Sequence, residues 1–198
     1  MNYDQTHQAL IFDCDGTLTD SMPIHYVAWR TTLARHGIEF PEDRFYEMGG
    51  IPTDKIIEIL SLEQGVVGDV AAIAAEKERA FLETIGDVEP NRPVCEIAIG
   101  HHRRMPMAVA SGGIRSVVID QLIRIAMRDY FETIVAAEDT ALHKPEPDVF
   151  LEAAKRLGVS PKGCLVFEDT DIGIEAARRA GMDFVDVRTM APPADGGF

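Results

Sequence analysis

The stretch "ALIFDCDGTLTD", Ala9–Asp20, decides how the rest of the chain is read. Four apolar, strand-favouring residues, Ala9–Phe12, stop abruptly on Asp13; a second acid, Asp15, and Gly16 follow. Two unit charges about 4 Å apart repel by roughly 4 kcal/mol at an effective dielectric of 20. A core strand that ends on such a pair needs water or a cation to hold it there.

Outward from this point, short apolar runs alternate with longer amphipathic ones, which predicts an α/β fold with a doubly wound parallel sheet. Strands are expected at Ala9–Phe12, Met107–Ala110, Thr133–Ala136, Cys164–Phe167 and Phe184–Val187. Core helices are expected at Val94–Gly100, Ser116–Met127, Asp148–Leu157 and Ile172–Ala180, with Gly158 and Gly181 as stops after the last two. The long interval after the first strand reads as helices Ile24–His36, Asp54–Leu62 and Asp69–Ile85. That organisation predicts a core of residues 1–21 and 89–198 with a helical insertion, 22–88, between the turn-like "TDSMP" and "VEPNRP". The tail "APPADGGF" is expected to fray.

In an open parallel sheet, ligands sit beyond the carboxyl ends of the strands. The groups found there are Asp13 and Asp15; Ser111, Gly112 and Gly113; Lys144 in "HKPEP"; and Glu168, Asp169 and Asp171. Taken singly, these are an Asx turn, a strand-to-helix turn, an exposed lysine and an N-cap. Together they suit phosphoryl transfer. An aspartate can attack phosphorus to form an aspartyl-phosphate, splitting one difficult step into two. A carboxylate meeting a phosphate dianion is a like-charge encounter, so Mg²⁺ is expected between Asp13 and Asp169, an oxygen-only site of the kind that ion prefers. Lys144 offsets the remaining charge, Ser111 and the N–H groups around Gly112 hold phosphate oxygens, and Asp15 serves as general acid and base.

The whole chain agrees with this. Its 198 residues suffice for a full core, at 46% hydrophobic and 26% charged. A net charge of -14 speaks against nucleic acid or an anionic membrane as partner, and the basic run His101–Arg104 reads as a solvated helix end. Cys14, Cys95 and Cys164 lack metal or disulfide spacing and read as buried thiols of a reduced compartment, Cys14 included despite its place between two acids. No run is long enough to span a bilayer, and "MNYDQTHQ" lacks the regions of a signal peptide, so a cytoplasmic protein, monomeric by default, is expected.

The motifs D-x-D-G-T at Asp13–Thr17, S-G at Ser111–Gly112, K-P at Lys144–Pro145 and E-D at Glu168–Asp169 jointly resemble those of the haloacid dehalogenase-like hydrolases. The insertion resembles the α-helical cap of their β-phosphoglucomutase-like branch. The resemblance implies that Asp13 is nucleophile and Mg²⁺ ligand, and that Asp15 lends its backbone carbonyl to the metal. It further implies Asp169 as third ligand, Glu168 as an outer or alternative one, and Ser111 with Lys144 as the phosphate-holding pair. It also implies a cap that closes over the site.

A sugar-phosphate mutase of this branch grips a distal phosphate with a lysine and an arginine in a cap loop. The matching loop, "MGGIPTDK", has Gly49 and Thr53 at those places, with Lys55 off register. Gly50–Thr53 instead resembles phosphatases of fructose 1-phosphate and similar hexose phosphates. A small sugar-phosphate phosphatase is therefore expected, with a mutase as the alternative. A phospho-acceptor receiver domain fits less well, because receivers carry their phosphorylated aspartate after a later strand, where Ser111 stands here. Among substrate candidates, Thr53 either touches sugar or caps the following helix. His25 either faces the site from the first insertion helix or packs within it, as Trp29 and Met48 are expected to do. Arg115 either reaches substrate or is solvated.

Overall fold

The structure, a computed structural model, describes residues 6–190; the frayed tail expected after Met190 lies outside them. The elements run β1 (Ala9–Phe12), β2 (Thr19–Asp20), α1 (Met22–Arg35), α2 (Glu42–Glu47), α3 (Thr53–Gln64), α4 (Val70–Leu82), β3 (Glu89–Pro90), α5 (Arg92–His101), β4 (Met107–Ala110), α6 (Arg115–Arg124), β5 (Thr133–Val135), α7 (Asp148–Leu157), β6 (Cys164–Glu168), α8 (Asp171–Arg179) and β7 (Asp183–Asp186).

The five long strands form one parallel sheet in the order β5-β4-β1-β6-β7. Its middle strand is β1, so Asp13 leaves the sheet at its centre, flanked by the ends of β4 and β6. Because successive side chains in a strand point to opposite faces, Leu10 and Phe12 enter one cluster with Val94, Ala98, Val118 and Leu122 of α5 and α6. Ala9 and Ile11 enter another with Phe150, Ala153, Ala176 and Ala177 of α7 and α8. Helices thus cover both faces, which explains why β1 and β4 are apolar throughout rather than alternating. Phe12 stacks on Phe167 of β6 at 4.7 Å between centroids, locking the two strands that carry the acids.

After Phe12 the chain doubles back on itself. The Leu18 and Thr19 N–H groups both donate to the Cys14 carbonyl. β2 then pairs antiparallel with β3, Thr19 opposite Pro90 and Asp20 opposite Glu89. The chain thereby leaves for α1 and returns from α4 side by side. Helices α1–α4 share their own apolar cluster, which includes Trp29, Leu33, Phe40, Phe45, Met48, Ile57 and Ile73. A smaller cluster of Ala28, Phe81, Val88 and Val117 joins that helical unit to α6.

Three differences from the expected elements have physical causes. Helix α2 has six residues after Pro41, too few for a periodic signal. Helix α6 ends at Arg124 rather than Met127, because Ala126 adopts a left-handed conformation (φ 56°) while the Met127 N–H bonds the Leu122 carbonyl. Glycine commonly makes such a stop, and with alanine the boundary carries no sequence mark. Helix α4 closes at Leu82, three residues before the expected end, where a 3₁₀ turn over Ile85–Asp87 leads into β3.

Candidate active site

Asp13 Oδ1 accepts a hydrogen bond from Lys144 Nζ at 2.6 Å, and the same ammonium donates to Glu168 Oε2 at 2.8 Å. All three are buried. Oxygens of Asp13, Glu168 and Asp169 lie within 4.8 Å of one another. Three carboxylates around one ammonium leave a surplus of negative charge that burial makes costly. Burial, then the charge of Glu168, pushes the Asp13 carboxyl well above its ordinary value, with Lys144 only partly offsetting this. The same causes raise Asp169 to about 7, against a stabilising bond from Thr17 Oγ1 at 2.9 Å. Lys144 moves upward: its own burial opposes the shift, and the two carboxylates outweigh that.

The trio divides by what its oxygens already hold. Glu168 is the most occupied: Oε2 takes Lys144, and Oε1 takes the backbone N–H and hydroxyl of Thr170. Asp13 Oδ2 and Asp169 Oδ2 accept nothing from the described residues. An oxygen-only donor set with surplus charge and two free oxygens fits a hard divalent cation, with Glu168 positioned behind Lys144. Gly16 makes the arrangement possible. Its φ is +79°, and a Cβ there would stand 2.1 Å from Asp169 Oδ2. The glycine is required by the carboxylate beside it as well as by the turn.

The Asp15 carboxylate does not join the trio. Its Oδ1 accepts from Ser21 Oγ (2.7 Å), His25 Nε2 (2.9 Å) and Gln121 Nε2 (2.9 Å). Burial works to raise its pKa, but His25 together with these hydrogen bonds prevails and holds it well below the ordinary carboxylate range. On its other side, the His25 ring takes Lys77 Nζ at Nδ1, 3.0 Å away. An ammonium is donor only, so Nδ1 is the bare nitrogen and Nε2 carries the proton given to Asp15. Burial and Lys77 lower the His25 pKa, which agrees with this neutral tautomer. The ring stacks on Phe81 at 3.7 Å. Cys14, between the two acids, is fully buried, and burial with Asp15 and Asp13 pushes its thiol far up, so it is no nucleophile.

A cavity of about 70 Å³ brings Asp13, Asp15, Ser111 and Gly112 from the sheet edge together with His25, Gly50, Thr53, Lys77 and Glu78 from the helical unit. Ser111 Oγ accepts the Gly113 N–H at 3.0 Å. The loop before α3 reaches the sheet edge closely enough that a Cβ on Gly112 would stand 2.4 Å from the Gly50 carbonyl oxygen. Thr53 does not cap α3; its hydroxyl donates to Glu78 Oε1 at 2.6 Å. Met48 and Trp29 are buried in the helical cluster, as expected, and also line the cavity.

Arg115 is not in the site. Its guanidinium is paired with Asp139 and donates to the Ile134 carbonyl, and the residue does not line the cavity. Lys77, Glu78, Ser21 and Gln121 were not singled out from sequence. For Lys77 a signal existed, since it lies four residues from both Ile73 and Phe81, on the buried face of α4.

Comparison with known proteins bears on this geometry. The family model "Haloacid dehalogenase-like hydrolase" matches residues 10–187. The chain belongs to the haloacid dehalogenase-like hydrolases. Within that family it is similar to the fructose-1-phosphate phosphatase YqaB of Escherichia coli K12, at 40% identity over 94% of this chain and 99% of the relative. It is also similar to the β-phosphoglucomutase of Bacillus subtilis, at 30% identity over 91% and 83%. Among solved structures, a β-phosphoglucomutase of Clostridium difficile superposes with a TM-score of 0.81, at 26% identity over 90% of this chain and 83% of that one. This haloacid dehalogenase-like hydrolase is thus an enzyme, a phosphoric monoester hydrolase, with β-phosphoglucomutase-like relatives. No helix among its described residues is long and apolar enough to cross a membrane.

Proposed function

We propose that this hydrolase is a Mg²⁺-dependent phosphatase of small sugar phosphates, hexose phosphates such as fructose 1-phosphate, acting through an aspartyl-phosphate. The observation that carries the reading is the pair of free oxygens, Asp13 Oδ2 and Asp169 Oδ2, in a trio with surplus charge of which Asp13 and Glu168 are buried. A bound Mg²⁺ would neutralise that surplus and draw phosphate oxygens toward Asp13. Asp13 and Asp169 would supply side-chain oxygens and Asp15 its backbone carbonyl, with Glu168 acting through Lys144 rather than on the ion.

In the first step Asp13 attacks phosphorus, and the sugar oxygen leaves with a proton from Asp15. In the second, Asp15 takes a proton from water, which attacks the aspartyl-phosphate and frees Asp13. Without substrate, Asp15 is a carboxylate and suited to the second role. A phosphate dianion set against it adds like charge and raises its pKa, so the acid role belongs to the substrate-bound state. Ser111 and the Gly112 N–H would hold phosphate oxygens, with the Gly113 N–H bracing the Ser111 hydroxyl, and Lys144 would keep Asp13 aimed. Residues 22–88 would act as a cap over a core of 1–21 and 89–198, shutting bulk water out when the Gly50 loop lies on Gly112.

Phosphatase is favoured over mutase because Lys77 is the one lysine or arginine among the residues lining the cavity, and it is paired with Glu78 at 3.2 Å. A bisphosphate would find no cation for its second end. The test is phosphate release from fructose 1-phosphate with Mg²⁺, set against isomerisation of β-glucose 1-phosphate with added bisphosphate. Sustained release with no bisphosphate-stimulated isomerisation is expected. Isomerisation faster than release would reverse the assignment.

A further inference from the structure

Glu78 is an oddity for a site that receives phosphate. It is an acid, 8% exposed, in the wall of a cavity that must admit a dianion. A buried carboxylate is normally excluded from such a place by repulsion, so its retention needs a use. Nothing in the proposed phosphoryl transfer requires it, since Asp13 and Asp15 already fill the nucleophile and proton-transfer roles.

Its hydrogen bonds show what it is set up to do. Oε1 is held twice, by Thr53 Oγ1 at 2.6 Å and by Lys77 Nζ at 3.2 Å. Oε2 accepts nothing from the described residues. The side chain is therefore fixed by one oxygen and leaves the other as an acceptor with no donor from the described residues. Such an oxygen is open to a hydrogen from water or from a bound ligand. The groups around it supply none. His25 spends its Nε2 proton on Asp15 and its Nδ1 on Lys77. Trp29, Ile56 and Met48, which also line that side of the cavity, bring apolar side chains. A donor for this oxygen comes from whatever fills the cavity, and a substrate hydroxyl would make a short, charge-assisted bond to it.

Charge points the same way. Glu78 cancels Lys77, so the helical wall presents no net positive charge to a second phosphate or a carboxylate, and its bare oxygen repels either. We infer that Glu78, braced by Thr53 and Lys77, is the specificity-determining residue of this site: it selects phosphate monoesters whose remainder is an uncharged polyol, and it rejects substrates bearing a second anion. This inference rests on the phosphatase reading only for where the phosphate sits. The selection itself is a property of binding.

The test can therefore separate the two. Affinities for fructose 1-phosphate and fructose 1,6-bisphosphate are measured calorimetrically, with Mg²⁺, in the non-turning-over Asp13→Asn protein and in the same protein carrying Glu78→Gln or Glu78→Ala. Glu78→Gln keeps the shape and an acceptor for Thr53 but removes the charge, leaving Lys77 uncompensated. The ratio of monophosphate to bisphosphate affinity should fall at least tenfold in Glu78→Gln, through weaker monophosphate binding and tighter bisphosphate binding together. It should fall further, or equally, in Glu78→Ala. Using a ratio within each variant cancels any loss of folded protein, and melting curves check the fold directly. A ratio within twofold of that of the Asp13→Asn protein in both variants would overturn the role of Glu78, even if phosphate release proves the enzyme a phosphatase. Conversely, a shifted ratio stands even if turnover assays show a mutase.

Discussion

At the sheet edge three carboxylates, of which Asp13 lines the cavity, lie within 4.8 Å of one another beside one ammonium, whereas the helical wall sets one carboxylate against one ammonium. Asp13 and Asp169 are driven upward in pKa by burial and by the Glu168 charge, so that end is electrostatically unfinished and calls for a divalent ion. Nothing comparable is left over at the helical end, where Lys77 and Glu78 balance and only a hydrogen-bond acceptor is spare. One wall is built to bring charge in and the other to keep extra charge out. The comparison can be broken at either wall.

The largest effect is expected at the sheet end. Asp13→Asn keeps the shape and an oxygen for Lys144, but an amide is no nucleophile and a poorer cation ligand. Phosphate release should fall by about 10⁴-fold or more, with a circular dichroism spectrum unchanged from wild type. Turnover near wild type would remove Asp13 from the chemistry.

A second expectation concerns the metal-free protein. Asp169 has a folded value of about 7 against an ordinary 3.8, so between those values the folded state holds more protons than the unfolded one. Stability from this group is therefore full below about 3.8 and is lost as pH rises through 7; Asp13 shifts in the same direction. Asp15 works oppositely. Its folded value is depressed, so its contribution is present above 3.8 and lost as pH falls below it. With chelator present, the melting temperature should decline on the order of 5 °C between pH 5 and pH 8. Saturating Mg²⁺ should remove most of that decline, since ligands must be deprotonated to bind it. A flat chelated profile would mean that the trio is not under the strain its geometry implies.

These two walls also differ in how plainly the sequence announced them. Asp13, Glu168 and Asp169 stand at or just beyond the ends of apolar strands, where a charge interrupts a pattern that burial had set, and Lys144 follows β5 after a loop. In a parallel sheet such interruptions converge on one edge, so the order of strands need not be known to see that they meet. Lys77 and Glu78 lie within a helix, between Ile73 and Phe81, in a stretch rich in charges that solvent would equally explain. The four-residue spacing from Ile73 and Phe81 marks Lys77 alone; the packing of α4 on α1, which puts Lys77 over the Trp29 ring at 5.0 Å, buries Glu78 with it. The short pair β2–β3 and helix α2 were illegible for a different reason, having too few residues to hold a period.

Lys77→Met tests the helical wall more gently. Methionine keeps the stem packed on Trp29 and Phe81 but removes the donor from His25 Nδ1 and the counter-charge from Glu78. Burial still holds the His25 pKa down, but its value rises toward the ordinary one, because the Lys77 charge was second only to burial in lowering it. Loss of one charged hydrogen bond of about 1.5 kcal/mol predicts roughly a tenfold lower kcat/KM for a hexose monophosphate. An effect as large as that of Asp13→Asn would place Lys77 in the chemistry and erase the division between the walls.

The smallest effect belongs to Arg115, which sequence alone could not keep out of the site. It opens α6 next to Ser111, where a guanidinium might be thought to meet phosphate, yet its two arms are spent on Asp139 and the Ile134 carbonyl. Arg156 holds the same two partners, Asp139 at 2.9 Å and the Ile134 carbonyl at 3.1 Å. Arg115→Ala therefore leaves neither partner without a donor. For a side chain 38% exposed, the pair is worth at most about 1 kcal/mol, or roughly 2–4 °C in melting temperature. The value of kcat/KM should stay within about twofold of wild type, since no oxygen of the substrate depends on this guanidinium. A rise in KM of tenfold with kcat preserved would instead show that Arg115 leaves Asp139 when substrate arrives, and the sheet wall would then count a second cation beside Lys144.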